Sequence, residues 1–164
     1  EKQKTFWTHG EEIWIRNSVR VNPHKKHQKQ GGRIYLASLP LCVVSPSAVM
    51  IHKNIFQTAG LFDPLLPAAE DYDLWLRISS RYEISYTSEF LIEKYGGHED
   101  QLSRSFLGLD RFRVRALKKQ LDSKYLTQEE IEATRELFET KCKILATGYK
   151  KHGKILTANY YENL

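Results

Sequence analysis

The chain predicts an α/β domain followed by an α-helical appendage, and three observations carry that expectation. Over roughly the first hundred residues, short runs rich in β-branched and aromatic side chains alternate with helix-patterned segments, as they do in α/β architectures. From Ser105 onward apolar residues recur only at helical spacing. A chain of 164 residues, 41% hydrophobic and 27% charged, is long enough for one domain with a real core, or for a core with an appendage. The expected division places the α/β part in 1–105 and the helical tail in 106–164.

Taken in order, Ile13-Trp14-Ile15-Arg16 and Arg20-Val21 read as short extended pieces separated by Asn17-Ser18. The polar run from Asn22 to Gly32 ends in paired glycines and reads as a loop. Arg33–Leu41 is expected to be a short helix, and Ser47–Ile51, following Ser45-Pro46, a buried strand. A helix over Lys53–Ala59 should stop at Gly60.

The next helix should begin near Asp71, where Leu74, Trp75 and Ile78 share one face and Asp73 and Arg77 can pair on the exposed side. Its acidic first turn suits the positive end of the helix dipole. Two strands are expected to follow, Glu83–Thr87 and Phe90–Tyr95, the second ended by Gly96-Gly97. In the tail, Phe106, Leu109, Phe112, Ala116 and Leu117 form one stripe. Thr127-Gln128-Glu129-Glu130 has the form of a capping box and opens a second helix striped by Ile131, Thr134, Phe138, Cys142 and Leu145, with Gly148 as its expected end. A last short helix should run from Lys154 to Tyr161.

Charge is unevenly spread. The net +5 hides an acid-free stretch from Ile13 to Phe62 that carries Arg16, Arg20, Lys25, Lys26, Lys29, Arg33 and Lys53. Such a stretch attracts anions, or is simply a solvated surface loop. No run approaches the roughly 18 apolar residues of a membrane span. With only Cys42 and Cys142, a hundred positions apart, neither a disulfide framework nor metal-ligand spacing is present, and lone thiols fit a reducing compartment.

The most informative phrase is Glu70-Asp71-Tyr72-Asp73-Leu74-Trp75-Leu76-Arg77, preceded by Gly60-Leu61-Phe62-Asp63-Pro64. A carboxylate delivered from a loop to a helix start is a candidate general base; the plain alternative is an acidic first turn complementing the dipole. Together with Ser45-Pro46-Ser47-Ala48-Val49-Met50-Ile51, and with Lys94-Tyr95-Gly96-Gly97-His98 and Gln101-Leu102-Ser103, the phrase resembles the acceptor-side half of family 2 glycosyltransferases, over roughly residues 11–105.

That resemblance implies a partial GT-A fold, a mixed sheet with flanking helices that binds a nucleotide-sugar. It implies an inverting transfer to a hydroxyl of a carbohydrate, lipid or protein acceptor, with Asp71 as general base and Glu70 and Asp63 beside the acceptor. It also implies Mg²⁺ or Mn²⁺ at the departing diphosphate with His98 as a ligand, a surface histidine being the alternative. Arg16, Arg20, Lys25 and Arg104 are the candidates for the donor phosphates. The nucleotide-binding half and its Asp-x-Asp motif are expected before residue 1, so these residues alone are expected not to turn over. The expected location is cytoplasmic, near the inner face of a membrane.

Two rival functions remain. In one, the basic stretch with Trp7, Trp14 and Tyr35 binds nucleic acid or another anion, although no helix-turn-helix, RRM or zinc-finger pattern is present. In the other, the helical tail docks on a partner or a membrane surface, a role compatible with transfer.

Overall fold

The long strand β1 (Trp7–Arg16) organises the sheet. It turns back through Asn17 and Ser18, both with positive φ (48° and 62°), into β2 (Val19–Val21). Two consecutive positive-φ residues make the tight turn whose twist suits an antiparallel hairpin, and Arg16 pairs with Val19 across it. The computed structural model describes residues 6–22, 27–96 and 108–164. Strand β3 (Val49–Ile51) pairs antiparallel with the start of β1, and β4 (Ser85–Gly96) runs parallel to β1 from Thr8 to Arg16. Thr8 and His9 pair with both β3 and β4, and Trp14 to Arg16 with both β2 and β4, so β2 and β3 share the edge of β1 opposite β4. The fold is thus mixed α/β, with an open sheet and several helices.

Several expectations are corrected. The two strands expected over Glu83–Thr87 and Phe90–Tyr95 are one strand, β4, which starts at Ser85, after Ile84 has formed an isolated bridge to Gly32, and stays continuous across Ser88-Glu89 by register shifts opposite Gly10 to Glu12. Beside these bulges the Leu91 side chain packs over Gly10: a Cβ on Gly10 would lie 2.6 Å from Leu91 Cδ1. The helix expected over Arg33–Leu41 shortens to α1 (Tyr35–Ser38), with Pro40 just beyond it. Before β3, Pro46–Ala48 is a 3₁₀ turn, and β3 is a half-exposed outer strand, not a buried one. Helix α2 (Ile55–Ala59) does end at Gly60, whose φ of 76° and ψ of 175° suit glycine alone.

Helix α3 (Glu70–Ser79) lies between two cores, so most of its side chains are buried, Asp73 among them. Leu74, Trp75 and Ile78 pack against Trp7, Ile34, Val44, Ile55 and Ile84 beside the sheet. Tyr72 and Leu76 pack the other way, against Val114, Leu117, Phe138 and Cys142 of the tail. The tail consists of α4 (Asp110–Leu121), α5 (Gln128–Lys151) and α6 (Ile155–Glu162). The capping box forms as expected: Glu130 N–H donates to Thr127 Oγ1 (3.3 Å) and Thr127 N–H to Glu130 Oε2 (2.9 Å). The same Glu130 carboxylate receives Arg33 at 2.6 Å, and Tyr35 hydrogen-bonds Thr134 at 2.9 Å, so polar ties join the tail to α1 and its approach. Gly148 does not end α5. The helix runs through it to Lys151, and Gly153, at φ 70°, makes the exit. Both cysteines are free thiols.

The pairing of Asp73 with Arg77 is also corrected. Asp73 is fully buried, not exposed, and holds Arg77 at 2.8 Å and Lys119 of α4 at 2.7 Å. Lys119 reaches on to Asp63 at 3.1 Å, and Arg77 donates to Leu61 O at 2.8 Å. This chain of charges ties the loop after Gly60, α3 and the tail together.

Candidate functional site

Strand periodicity builds one wall of the candidate site. Glu12 and Trp14, two residues apart on β1, point to the same side, and Lys94 of β4 joins them there. The segment Cys42 to Pro46 forms the facing wall and the first turn of α3 supplies Asp71. Together with Glu11, His27 and Lys29 they enclose a hollow of about 240 Å³.

The polar groups in this hollow are mostly engaged. Glu12, 3% exposed, accepts from Trp14 Nε1 at 2.9 Å and pairs with Lys29 Nζ at 3.3 Å. Burial alone would raise the Glu12 carboxyl above its ordinary value. The Ser45 hydroxyl, Lys29, Lys94 and Trp14 outweigh that and hold it lower. Lys29 is itself buried and also donates to Gly10 O at 2.6 Å. Lys94 donates to Ser45 Oγ at 3.0 Å and sits 5.4 Å from the centre of the Trp14 ring. Glu11 accepts from the Tyr86 hydroxyl at 2.7 Å.

Asp71 differs from the other two carboxylates of the hollow. Oδ1 accepts the Tyr72 N–H at 2.7 Å, one of the amides that the first helical turn leaves without a partner. Oδ2 faces the Cys42 thiol at 3.5 Å, and among the described residues no cation stands within ion-pair distance of it. Burial first, and then Asp71 itself, push the Cys42 thiol far up, so Cys42 stays protonated and acts as a weak donor. The backbone feeding Asp71 into place is strained: Ala69 precedes the helix at φ 59° and ψ 23° without a side-chain cap.

The other residues expected at the site are distributed as follows. Glu70 neighbours Asp71 on the first turn but does not line the hollow. Asp63 lies outside it and is engaged with Lys119 (3.1 Å), Arg115 (3.9 Å) and the Leu65 N–H (2.9 Å). Arg16 and Arg20 flank the β1–β2 turn beyond the hollow, with Arg20 over the Phe90 ring at 5.5 Å. Lys25, His98 and Arg104 lie outside the described residues. Among the described residues no three His, Cys, Asp or Glu side chains converge on a point where an ion could sit.

Sequence reasoning missed Glu12, Cys42 and Lys94 as site residues. A signal for Glu12 was present: it is two residues from Trp14 in a strand-like run and just outside the acid-free stretch. The contact of Cys42 with residue 71 spans 29 positions and leaves no local pattern. Of the three aromatics of the nucleic-acid reading, Trp7 and Tyr35 are buried and cannot stack on bases. No family model, no curated protein and no solved structure matches the chain.

Proposed function

We propose that this chain is the acceptor-side portion of an inverting, family 2-like glycosyltransferase of GT-A fold, and that Asp71 is its general base. The observation that supports the reading most is the contrast among the carboxylates of one hollow. Glu12 and Glu11 are held by Lys29, Trp14 and Tyr86, while among the described residues Asp71 keeps an oxygen that faces a thiol and no cation. An acceptor hydroxyl entering the hollow would donate to that oxygen, and the proton would pass to Asp71 as the sugar oxygen attacks the anomeric carbon. Lys29 and Lys94 place two positive charges in the same hollow, against three carboxylates, so the site favours a polyhydroxylated acceptor over a strongly charged one. The indole of Trp14 offers an apolar edge for a sugar ring.

In this reading a donor-binding half supplies the nucleotide-sugar site and its Mg²⁺ or Mn²⁺, and the protein works in the cytoplasm at the periphery of a membrane. Among the described residues no helix is long and apolar enough to cross a membrane. The test is sugar transfer by the protein as it occurs in the cell, assayed with a panel of UDP-, GDP- and dTDP-sugars. Asp71→Asn should lower kcat by about 10²–10⁴ with nucleotide affinity unchanged, the range expected on losing a general base. Transfer at the parental rate by Asp71→Asn would refute the assignment.

A further inference from the structure

The helical tail carries a second surface that the transfer reading does not use. Between α4 and α6 lies a hollow of about 520 Å³. Its basic side is one face of α4, where Arg111, Arg115, Lys118 and Lys119 follow at helical spacing. Its apolar side includes Leu65 and Tyr160, and among the described residues no Asp or Glu lines it. Lys119 is taken up by Asp63 and Asp73, but Arg111 has no carboxylate within ion-pair distance among the described residues. Lys118 meets only the exposed Asp122, at 3.3 Å.

Helix α6 extends this apolar side. Ala158 is buried and Tyr161 stacks on Tyr149 of α5, with ring centres 5.6 Å apart, so one face is already packed. Leu156 and Tyr160, four residues apart and therefore on one face, point outward at 88% and 59% exposure, and Ile155 and Leu164 are exposed beside them. A short helix that is apolar on its outer face as well as its packed one, bordered by Arg111 and by the part-exposed Arg115 (3.9 Å from Asp63) and Lys118, matches a phase whose surface is anionic and whose interior is hydrocarbon.

We propose that α4 and α6 form a docking surface for an anionic lipid bilayer. Arg111, Arg115 and Lys118 would meet headgroup phosphates while Leu156 and Tyr160 enter the boundary beneath them. The proposal deepens the membrane-peripheral location of the reading above by naming the surface, and vesicle binding is scored without any sugar transfer.

The experiment is co-sedimentation of the purified chain with vesicles of phosphatidylcholine alone and of phosphatidylcholine containing phosphatidylglycerol, at low and at physiological salt. Binding is expected only to the anionic vesicles and should weaken with salt. Arg111→Gln should weaken it about fivefold, the worth of one cation at such a surface, whereas Lys53→Gln, equal in charge and remote from the patch, should not. Leu156→Asn with Tyr160→Asn should weaken binding at constant charge, and because both side chains are exposed the melting temperature should not move. The proposal is overturned by absence of vesicle binding, by equal binding to neutral and anionic vesicles, by equal losses in Lys53→Gln and Arg111→Gln, or by undiminished binding of the Leu156/Tyr160 variant.

Discussion

Asp71 and Asp73 are two residues apart on the first turn of α3, and the fold treats them in opposite ways. Asp73 turns into the protein, is fully buried and is gripped by Arg77 and Lys119. Asp71 turns toward the hollow beside β1 and β4, where its partners are one helix amide and one thiol. A helix advances about 100° per residue, so two positions separate the side chains by some 200°, enough to put them on opposite faces. The difference teaches that an acidic cluster in a sequence has to be divided between structure and chemistry before any of it is called a site. A buried carboxylate that is fully paired holds the fold together. One left accessible and without an ion-pair partner is a candidate for chemistry.

The strongest way to break this comparison is to remove the structural member. Taking away one partner of a buried ion pair leaves the remaining charge desolvated, at a cost of about 3–5 kcal/mol, and here that charge is the mostly buried Arg77, since Lys119 keeps Asp63. Asp73→Ala should therefore lower the stability of the chain by about that amount, read by urea unfolding. A loss under about 1 kcal/mol would show that water or rearranged side chains replace the buried carboxylate, and that Asp73 is no more structural than Asp71.

A smaller effect on the same side is expected at Gly60. Its backbone, at φ 76° and ψ 175°, is essentially closed to other residues, and a Cβ there would approach Arg77 Nη1 to 3.3 Å. Gly60→Ala should cost about 1–3 kcal/mol through backbone strain. Because Arg77 is the partner of Asp73, the cost should shrink in an Asp73→Ala background; full additivity would mean that the glycine acts only on its own turn.

How much of this was legible in the sequence follows from which interactions are local. The Asn17-Ser18 turn, the Thr127–Glu130 capping box and the stop of α2 at Gly60 are set within a few residues, and each was readable. The same holds for the position of Asp71 on a helix start. The fate of Asp73 was not readable, because Lys119 lies 46 positions away and turns an i,i+4 surface pair into a buried network. The fusion of two expected strands into β4 depends on bulges facing Gly10, again a long-range match. Lys29 reads as one more cation of a polar loop until Glu12 of β1 draws it inside. The hollow is assembled from five separate stretches of chain, and only the acidic helix announces itself.

The site side of the comparison can be sharpened with pH. His9, on the same strand as Glu12, is 1% exposed; Nε2 lies 2.9 Å from the Gln30 carbonyl and so carries the proton, while Nδ1 has no partner among the described residues. Burial is the main reason its basicity falls below the ordinary value of 6.5, with Lys29 adding to it. The folded state thus binds this proton less readily than the unfolded chain. The stabilisation is fully present above pH 6.5 and is lost as pH falls from there through the lower folded value, at up to about 1.4 kcal/mol per pH unit. Glu12, also held low, adds the same sign of effect below its ordinary 4.5. His9→Gln should flatten the upper of these two windows and leave the lower; an unchanged slope between pH 5 and 6.5 would remove His9 from the account.

The smallest expected effect is the most discriminating. Asp71→Asn keeps the volume of the side chain and its acceptor toward the Tyr72 amide, and it leaves no buried cation unpaired, since none is paired with Asp71 among the described residues. Substitutions away from packed or ion-paired features usually stay within about 0.5 kcal/mol, and this variant should do the same in urea unfolding. Asp73→Asn, an identical chemical change two residues along, removes a charge that Arg77 and Lys119 both need, and should fall well outside that range. If the two asparagine variants lost stability equally, Asp71 would be one more structural acid of the helix, and the case for a base in the hollow would lose its footing.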